Sequence, residues 1–117
     1  MTDSSLEDVI ARLRSFVAER EWQQFHDPKN LAMLIVSEAG ELAAELRWIH
    51  SGDADAHARR HRTRIAEEAA DVDLGLLLLC DRVGIDLVEA MRTKIETNRM
   101  RYPAESARGV ADRPEGI

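Results

Sequence analysis

Residues 31–49 read LAMLIVSEAGELAAELRWI, and this segment constrains how the rest of the chain is arranged. At roughly 100° per residue, its apolar side chains form one stripe, which is typical of an amphipathic helix packed against a core. Three glutamates lie on the same stripe: Glu38, Glu41 and Glu45. A carboxylate that faces a core costs folding free energy unless it is paired or bound to a metal. We therefore expect the rest of the chain to enclose these acids.

Composition and charge exclude several classes of protein. The 117 residues suffice for one folded domain, and the 44% hydrophobic and 32% charged residues are normal for a globular protein. The net charge of −6 disfavours binding to long nucleic acid, which requires a basic face. No apolar run is long enough to span a bilayer, and the N-terminus lacks a signal-peptide pattern. A single cysteine, Cys80, fits a reducing compartment, so the sequence predicts a cytoplasmic protein that does not bind membranes.

Helical periodicity predicts an all-α fold of four helices. The predicted helices span residues 5–20, 28–50, 63–83 and 87–101. Residues 51–62 fit either a loop or the frayed start of the third helix. We expect residues 104–117 to be a tail that is disordered or lies loosely on the surface, so that the folded domain comprises residues 1–103.

Two histidines in the polar segment, His57 and His61, are four residues apart. This spacing can bind a metal on one face of a helix. Since no third histidine or adjoining carboxylate motif accompanies them, we interpret both as surface residues.

The second half of the third helix, LGLLLLC at residues 74–80, is apolar on every side. Such a helix must be covered on every side, which a four-helix chain of this length can hardly do by itself. The sequence therefore predicts a homo-oligomer, either a dimer or a tetramer, with this segment at the interface.

Two pairs of carboxylates stand at helical spacing on consecutive helices. Glu38 and Glu41 are three residues apart on the second helix, and Glu68 and Asp71 repeat that spacing on the third. If the two helices pack antiparallel, the pairs face each other across a groove. Facing carboxylates repel unless cations lie between them, and hard oxygen ligands suit Mg²⁺ or Mn²⁺ shared with substrate phosphates. The alternative is that these acids lie at the edges of solvated faces, with only their apolar stems on the core.

Further polar and aromatic residues allow two interpretations each. Lys94, Asn98 and Arg101 share one face of the fourth helix. They form either an ordinary basic last turn, which complements the helix dipole, or a clamp that binds phosphate and sugar. Three residues that flank the acidic helix fit either ordinary packing or contact with a nucleobase: Trp22, His26 and Trp48.

Taken together, these motifs resemble a known enzyme family. The segments that carry the resemblance are WQQFH (22–26), SEAGE (37–41), Trp48, EEAAD (67–71) and KIETNRMRYP (94–103). They resemble the all-α, MazG-like nucleoside triphosphate pyrophosphohydrolases and, among these, the compact dCTP pyrophosphatase type. The resemblance covers residues 6–103 approximately, and the combined set is far more specific than either acid pair.

The resemblance implies a fold, a reaction and roles for individual residues. The fold is a four-helix MazG-like bundle, oligomeric through the apolar third helix. The reaction is Mg²⁺-dependent hydrolysis of a (deoxy)nucleoside triphosphate, such as dCTP or a modified dCTP, to the monophosphate and pyrophosphate, in sanitation of the nucleotide pool. Mn²⁺ is a second candidate metal. The implied metal-binding and catalytic residues are Glu38, Glu41, Glu68 and Asp71; those around the base are Trp22, His26 and Trp48; those at the phosphate and sugar are Lys94 and Asn98.

Two residues depart from the family pattern, and one alternative function remains. Gly75 stands where dCTP-type relatives have a tyrosine near the base, and Asp73 replaces an apolar residue, so the base preference stays open. The alternative is a non-catalytic helical dimerisation module. It predicts that the acid pairs face solvent and bind no divalent metal.

Overall fold

The computed structural model describes residues 5–111, and this part of the chain contains helices and turns but no strand. The all-α prediction is therefore confirmed. The chain forms two compact units, of which the first ends at Gly84 and the second begins at Ile85. The helices of the first unit are α1 (Leu6–Glu19), α2 (Pro28–Ala44), α3 (Ala54–Arg60) and α4 (Arg62–Val83); those of the second are α5 (Leu87–Arg101) and α6 (Ala104–Ala107).

Residues with a known preference for helix ends fix these limits. Three helices begin at a side chain that accepts a backbone N–H three residues later: Ser5 for α1, Asp27 for α2 and Asp86 for α5. Gly84 ends α4 in the left-handed region, with a φ of 80°, which glycine adopts without strain. The sequence carries these signals directly, and the ends they mark agree with the predicted ones within one or two residues.

The prediction was wrong at the end of α2, which stops at Ala44 and not at His50. The N–H groups of Glu45 and Leu46 bond to carbonyls only three residues earlier, at 3.1 and 3.0 Å. These tighter turns end the α-helix before the tryptophan at position 48.

The two segments for which the sequence predicts no definite helix, residues 51–62 and the tail from residue 104, are partly helical. Residues 51–60 form a 3₁₀ turn, Ser51–Asp53, followed by α3. The tail, for which the sequence predicts no regular structure, contains the single turn of α6. Residues 112–117 of the predicted tail lie outside the described part of the chain, so the domain limits 1–103 stay a prediction.

The two longest helices, α2 and α4, pack against each other in antiparallel directions. Near the end of α2, Glu45 meets Arg64 in the first turn of α4. Earlier in α2, Ile35 meets Gly75, further along α4. A Cβ atom at position 75 would lie 3.1 Å from Cγ1 of Ile35, so glycine is what permits this close approach. The antiparallel packing on which the facing carboxylate pairs depend is therefore present.

Helix α1 is fixed to α4 by an ion pair and by apolar burial. Nε of Arg14 donates to both carboxylate oxygens of Asp81, at 3.1 and 3.0 Å. The Arg14 guanidinium lowers the pKa of Asp81 below its ordinary value. The buried apolar side chains of this unit are Val17, Leu31, Leu77 and Cys80. Cys80 is a free, buried thiol, as expected from its apolar surroundings.

Much apolar surface remains exposed in the single chain. Within residues 74–80, only Gly75, Leu77 and Cys80 are buried, and the four other leucines are half-buried. On the outer face of α2, Met33 and Val36 are 59% and 65% exposed. No helix within residues 5–111 is long and apolar enough to cross a membrane. The oligomer stays a prediction.

Candidate active site

Three carboxylates of α2 and α4 converge at the centre of the helix pair. One oxygen each of Glu38, Glu41 and Glu68 lies within 4.8 Å of the others. The convergence follows from the sequence, because residues three apart on α2 share a face and the antiparallel α4 brings Glu68 opposite them. Three hard oxygen ligands at this spacing fit a divalent cation of the Mg²⁺ or Mn²⁺ type.

The electrostatics of this cluster are unfavourable without a cation. Oε2 of Glu38 is buried and has no hydrogen-bond partner among residues 5–111. Burial raises the pKa of Glu38, and the neighbouring Glu41, Asp71 and Glu68 raise it further. The pKa of Glu68 is raised in the same way, first by burial and then by the charges of Glu41 and Asp71. A buried carboxylate oxygen without a hydrogen-bond donor destabilises the fold unless a cation or another donor binds it.

The fourth predicted ligand, Asp71, stands slightly apart from the other three. It is exposed on α4 and lies outside the group whose oxygens approach within 4.8 Å. Its charge nevertheless raises the pKa of both Glu38 and Glu68, so it belongs to the same electrostatic site. Its neighbour Asp73 is exposed on α4.

An ion pair that the sequence did not predict borders the cluster. Nε of Arg64 donates to Oε2 of Glu45 at 2.9 Å, and the Glu45 side chain is only 17% exposed. Glu45 lies one turn after Glu41, and Arg64 lies one turn before Glu68. The signal in the sequence was the position of Glu45 on the apolar stripe, which requires a partner, but only the packing of α2 on α4 identifies that partner.

His57 is not the surface residue that the sequence predicted. It is half-buried, and its Nε2 lies 3.1 Å from the backbone carbonyl oxygen of Glu45. Since Glu45 caps α2, the imidazole satisfies a carbonyl group that the helix leaves free. His61 is exposed, as predicted, and its ring contacts that of His57 at a tilt of 40°, with ring centroids 4.3 Å apart.

His26 lines a cavity between α1 and α4. The cavity has a volume of about 300 Å³ and a mainly apolar lining, and it is at the small end of the range for ligand pockets. Residues around it include Leu13, Val17, His26, Leu77, Asp81 and Arg82. Trp22 lies in the 3₁₀ turn Trp22–Phe25 before His26 and packs edge-on against Phe16 of α1, with ring centroids 5.7 Å apart.

Trp48 is remote from the other two predicted base contacts. It follows the end of α2, whereas Trp22 and His26 precede its start, and the 17 residues of α2 separate them by about 25 Å of helix. Trp48 is 82% exposed and lines a different cavity, together with His57. A single chain therefore does not bring all three residues to one base.

Lys94 and Asn98 lie in the second unit. Both are exposed and one turn apart on α5, so they share a face of that helix as predicted. The backbone carbonyl of Asn98 accepts the N–H of Tyr102 at 2.8 Å, while the amide side chain remains exposed.

Comparison with known proteins gives relatives for the chain, although no family model matches it. The chain is 38% identical to dCTP pyrophosphatase 1 of Bos taurus, over 98% of this chain and 72% of the relative. It is 40% identical to dCTP pyrophosphatase 1 of Homo sapiens, over 91% of this chain and 64% of the relative. The chain belongs to the dCTP pyrophosphatase family.

A solved structure supports the same assignment. The crystal structure of a pyrophosphatase from Archaeoglobus fulgidus matches with a TM-score of 0.80 and 38% identity, over 84% of this chain and 92% of that one. The protein is thus an all-α, MazG-like nucleoside triphosphate pyrophosphohydrolase. The predicted family, fold class and enzyme class are confirmed.

The geometry also argues against the non-catalytic dimerisation module. That alternative required the acid pairs to face solvent. Glu41 and Asp71 are exposed, but Glu38 and Glu68 are half-buried, and Oε2 of Glu38 is buried without a partner among the described residues. Three converging carboxylates repel one another and so destabilise the fold, a cost that a purely structural module does not explain.

The packing of α2 on α4 explains the glycine at position 75, where dCTP-type relatives have a tyrosine. Gly75 is buried against Ile35, and its missing side chain sets how closely α4 approaches α2. A tyrosine at this position would require Ile35 to move. The close packing of the two helices that carry the acid cluster therefore depends on a small residue at position 75.

Proposed function

We propose that this protein hydrolyses dCTP, or a dCTP modified on the base, between the α- and β-phosphates to the monophosphate and pyrophosphate. The substrate class is suggested by the relatives, which are named dCTP pyrophosphatase 1. The reaction depends on Mg²⁺, with Mn²⁺ as a substitute, and removes unwanted nucleotides from the cytoplasmic pool. A free, buried cysteine agrees with a reducing compartment.

The observation that carries the proposal is the convergence of Glu38, Glu41 and Glu68 around the unpartnered oxygen of Glu38. These three residues and Asp71 would hold the metal. When bound, Mg²⁺ supplies charge neutralisation, polarisation of the phosphate groups and a more acidic water. The chain itself supplies the rigid antiparallel helix pair, which keeps the carboxylates in place before the nucleotide arrives.

The nucleobase occupies the cavity beside His26. Apolar walls from α1 and α4 cover the base, and Trp22 lies in the 3₁₀ turn that leads to His26. Lys94 and Asn98 act on the phosphate and sugar. Because Trp48 lies at the other end of α2, it reaches the base only from a second copy of the chain, so the functional form is a homo-oligomer, at least a dimer.

Product analysis over a panel of nucleotides tests the proposal. Canonical and base-modified deoxynucleoside triphosphates are incubated with the protein and Mg²⁺, and pyrophosphate, phosphate and nucleotide products are separated. We expect stoichiometric monophosphate and pyrophosphate, with cytosine nucleotides giving the highest kcat/KM. Release of a nucleoside diphosphate and phosphate would show that the assigned bond is wrong.

A further inference from the structure

The side chain of Arg64 is anchored at one nitrogen and free at the others. Its Nε donates to Glu45, whereas both terminal amino groups lack an acceptor within residues 5–111. The Arg64 side chain is 67% exposed, although its partner carboxylate is largely buried. A guanidinium held in this way presents its remaining donors in a fixed direction, and its planar fork matches the oxygens of a phosphate group.

The order of features along α4 places Arg64 at one end of the proposed nucleotide site. The cavity beside His26 contacts α4 at residues 77–82. The acid cluster contacts it at Glu68, roughly 15 Å closer to the start of the helix. Arg64 lies a further turn in the same direction, roughly 6 Å away. A nucleotide whose base fills the cavity and whose phosphates reach the acid cluster therefore extends its terminal phosphates towards Arg64.

The charges in this region favour the same assignment. The cluster and Glu45 together carry several negative charges, and Arg64 is the cation that the structure shows in contact with this row of acids. Once a divalent metal neutralises the cluster, the β- and γ-phosphates still bring negative charge that requires donors. Arg64 can meet it without losing its bond to Glu45, because the two contacts use different nitrogens.

We propose that Arg64, oriented by Glu45, binds the terminal phosphates that leave as pyrophosphate. This inference rests on the proposed function. It assigns to this chain a phosphate-binding residue on α4, distinct from Lys94 and Asn98 on α5. Glu45 is then a positioning residue, which acts only through Arg64.

Binding of inorganic pyrophosphate to the full-length protein in the presence of Mn²⁺ tests the assignment. Isothermal titration is carried out on the wild type, on Arg64→Ala and on the matched control Arg62→Ala, which removes the same charge from the same helical turn without breaking an ion pair. We expect Arg64→Ala to weaken pyrophosphate binding by about tenfold or more, as for loss of a charged hydrogen bond, and Arg62→Ala to change it by less than about threefold. Arg64→Lys should restore only part of the affinity, since it keeps the charge and loses the fork.

A second measurement separates phosphate binding from a purely structural role. Titration with Mn²⁺ alone should show no loss of affinity in Arg64→Ala, because the substitution removes a cation and leaves the carboxylates in place, and KM for the triphosphate should rise more than kcat falls. If Arg64→Ala binds pyrophosphate as tightly as Arg62→Ala does, or loses Mn²⁺ and pyrophosphate affinity in parallel, the assignment is wrong. If the wild type itself neither binds Mn²⁺ nor releases pyrophosphate, the proposed function fails first.

Discussion

At the scale of single residues, Glu38 is the central residue of the proposed metal site. It lies on the core-facing stripe of α2, one of its oxygens is buried without a donor, and its pKa is raised by burial and by three acidic neighbours. Apolar side chains at such positions stabilise a fold, whereas this carboxylate costs free energy until a cation binds. Stability and activity should therefore respond to its substitution in opposite directions.

We expect Glu38→Gln and Asp71→Asn to abolish most activity while leaving the metal-free protein as stable as the wild type or more stable. The amide keeps the shape of the side chain and removes the repulsion. Mg²⁺ at a hundredfold excess over its Kd should stabilise the wild type by about 2.7 kcal/mol, and this gain should shrink in both variants. Thermal melts in EDTA and in Mg²⁺ measure both effects.

The matched control for these substitutions is Glu67→Gln, which changes an exposed glutamate next to Glu68. It should leave activity and the stabilisation by metal unchanged. If Glu38→Gln instead melts well below the wild type in EDTA and keeps its activity, the carboxylate is structural and the assignment of the active site is wrong.

The raised pKa values of Glu38 and Glu68 predict a pH dependence of the metal-free protein. The folded state holds these protons more tightly than the unfolded state, whose glutamate pKa is near 4.5. Between that value and the raised folded pKa, the free energy of unfolding should therefore increase as the pH falls. Asp81 acts oppositely: because its pKa is lowered in the folded state, its stabilisation is present above the unfolded pKa and is lost as the pH falls from there through the lowered folded value.

Melts in EDTA over a series from about pH 7.5 to about pH 5 measure this dependence. The increase in Tm on acidification should be smaller in Glu38→Gln, which has one such group fewer. With Mg²⁺ present the trend should reverse, since protons compete with the metal for the same carboxylates. A wild-type protein whose Tm in EDTA falls steadily over this range would contradict the assignment of these two acids.

At the scale of elements, the close packing of α2 on α4 determines the geometry of the site. Two contacts keep the helices in one antiparallel register: the ion pair of Glu45 with Arg64, and the packing of Ile35 on Gly75. That register places Glu68 opposite the two glutamates of α2. The tight turn at Ala44 also matters, because it allows Glu45 to meet Arg64 and His57 together.

Two glycines in these helices should respond oppositely to alanine. Gly40 has open space around it, so Gly40→Ala should raise the free energy of unfolding by about 0.5–1 kcal/mol through helix propensity. Gly75→Ala places a methyl group against Ile35, and overpacking of about 1–3 kcal/mol should outweigh the same gain in propensity. Urea unfolding in EDTA measures both changes.

A double substitution checks the cause of the second effect. Gly75→Ala should cost less in an Ile35→Ala background, where the opposing Cγ1 atom is gone. An equal cost in both backgrounds would show that Ile35 does not limit the approach of the helices.

At the scale of the whole molecule, the nucleotide site that we propose requires more than one chain. Trp22 and His26 lie before α2 and Trp48 lies after it, and the half-buried leucines of α4 and exposed apolar residues of α2 lack cover. A second copy would supply both the missing aromatic residue and the missing cover. Burial of such apolar surface contributes about 25 cal/mol per Å², which is why we expect the oligomer to be stable.

We expect light scattering to show at least a dimer at micromolar concentration. We also expect His26→Ala and Trp48→Ala each to raise KM more than they lower kcat, because both residues would bind the base. Co-expression of the two variants should restore part of the activity, since a mixed dimer contains one site with neither substitution. Glu38→Gln with Glu68→Gln is the control: these residues converge within one chain, so mixing should restore nothing. A stable monomer with full activity would contradict the composite site.

The sequence by itself determined most helix limits and which carboxylates share a helix face. Apolar periodicity and the preferences of Ser5, Asp27, Gly84 and Asp86 for helix ends fixed most helix limits, because these are interactions between residues close in the chain. Carboxylates spaced three apart on two helices predicted the acid cluster, since helical geometry alone puts them on one face.

Only the tertiary structure decided what happens between elements. The early end of α2, the contact of His57 with the Glu45 carbonyl and the pairing of Arg64 with Glu45 depend on how α2, α3 and α4 meet. Likewise, the sequence predicted that Trp48 and His26 contact the same base, but a helix of 17 residues separates them within one chain. Local preferences encode helices and their faces, whereas distances between residues far apart in sequence are set by packing, which a pattern along the chain does not contain.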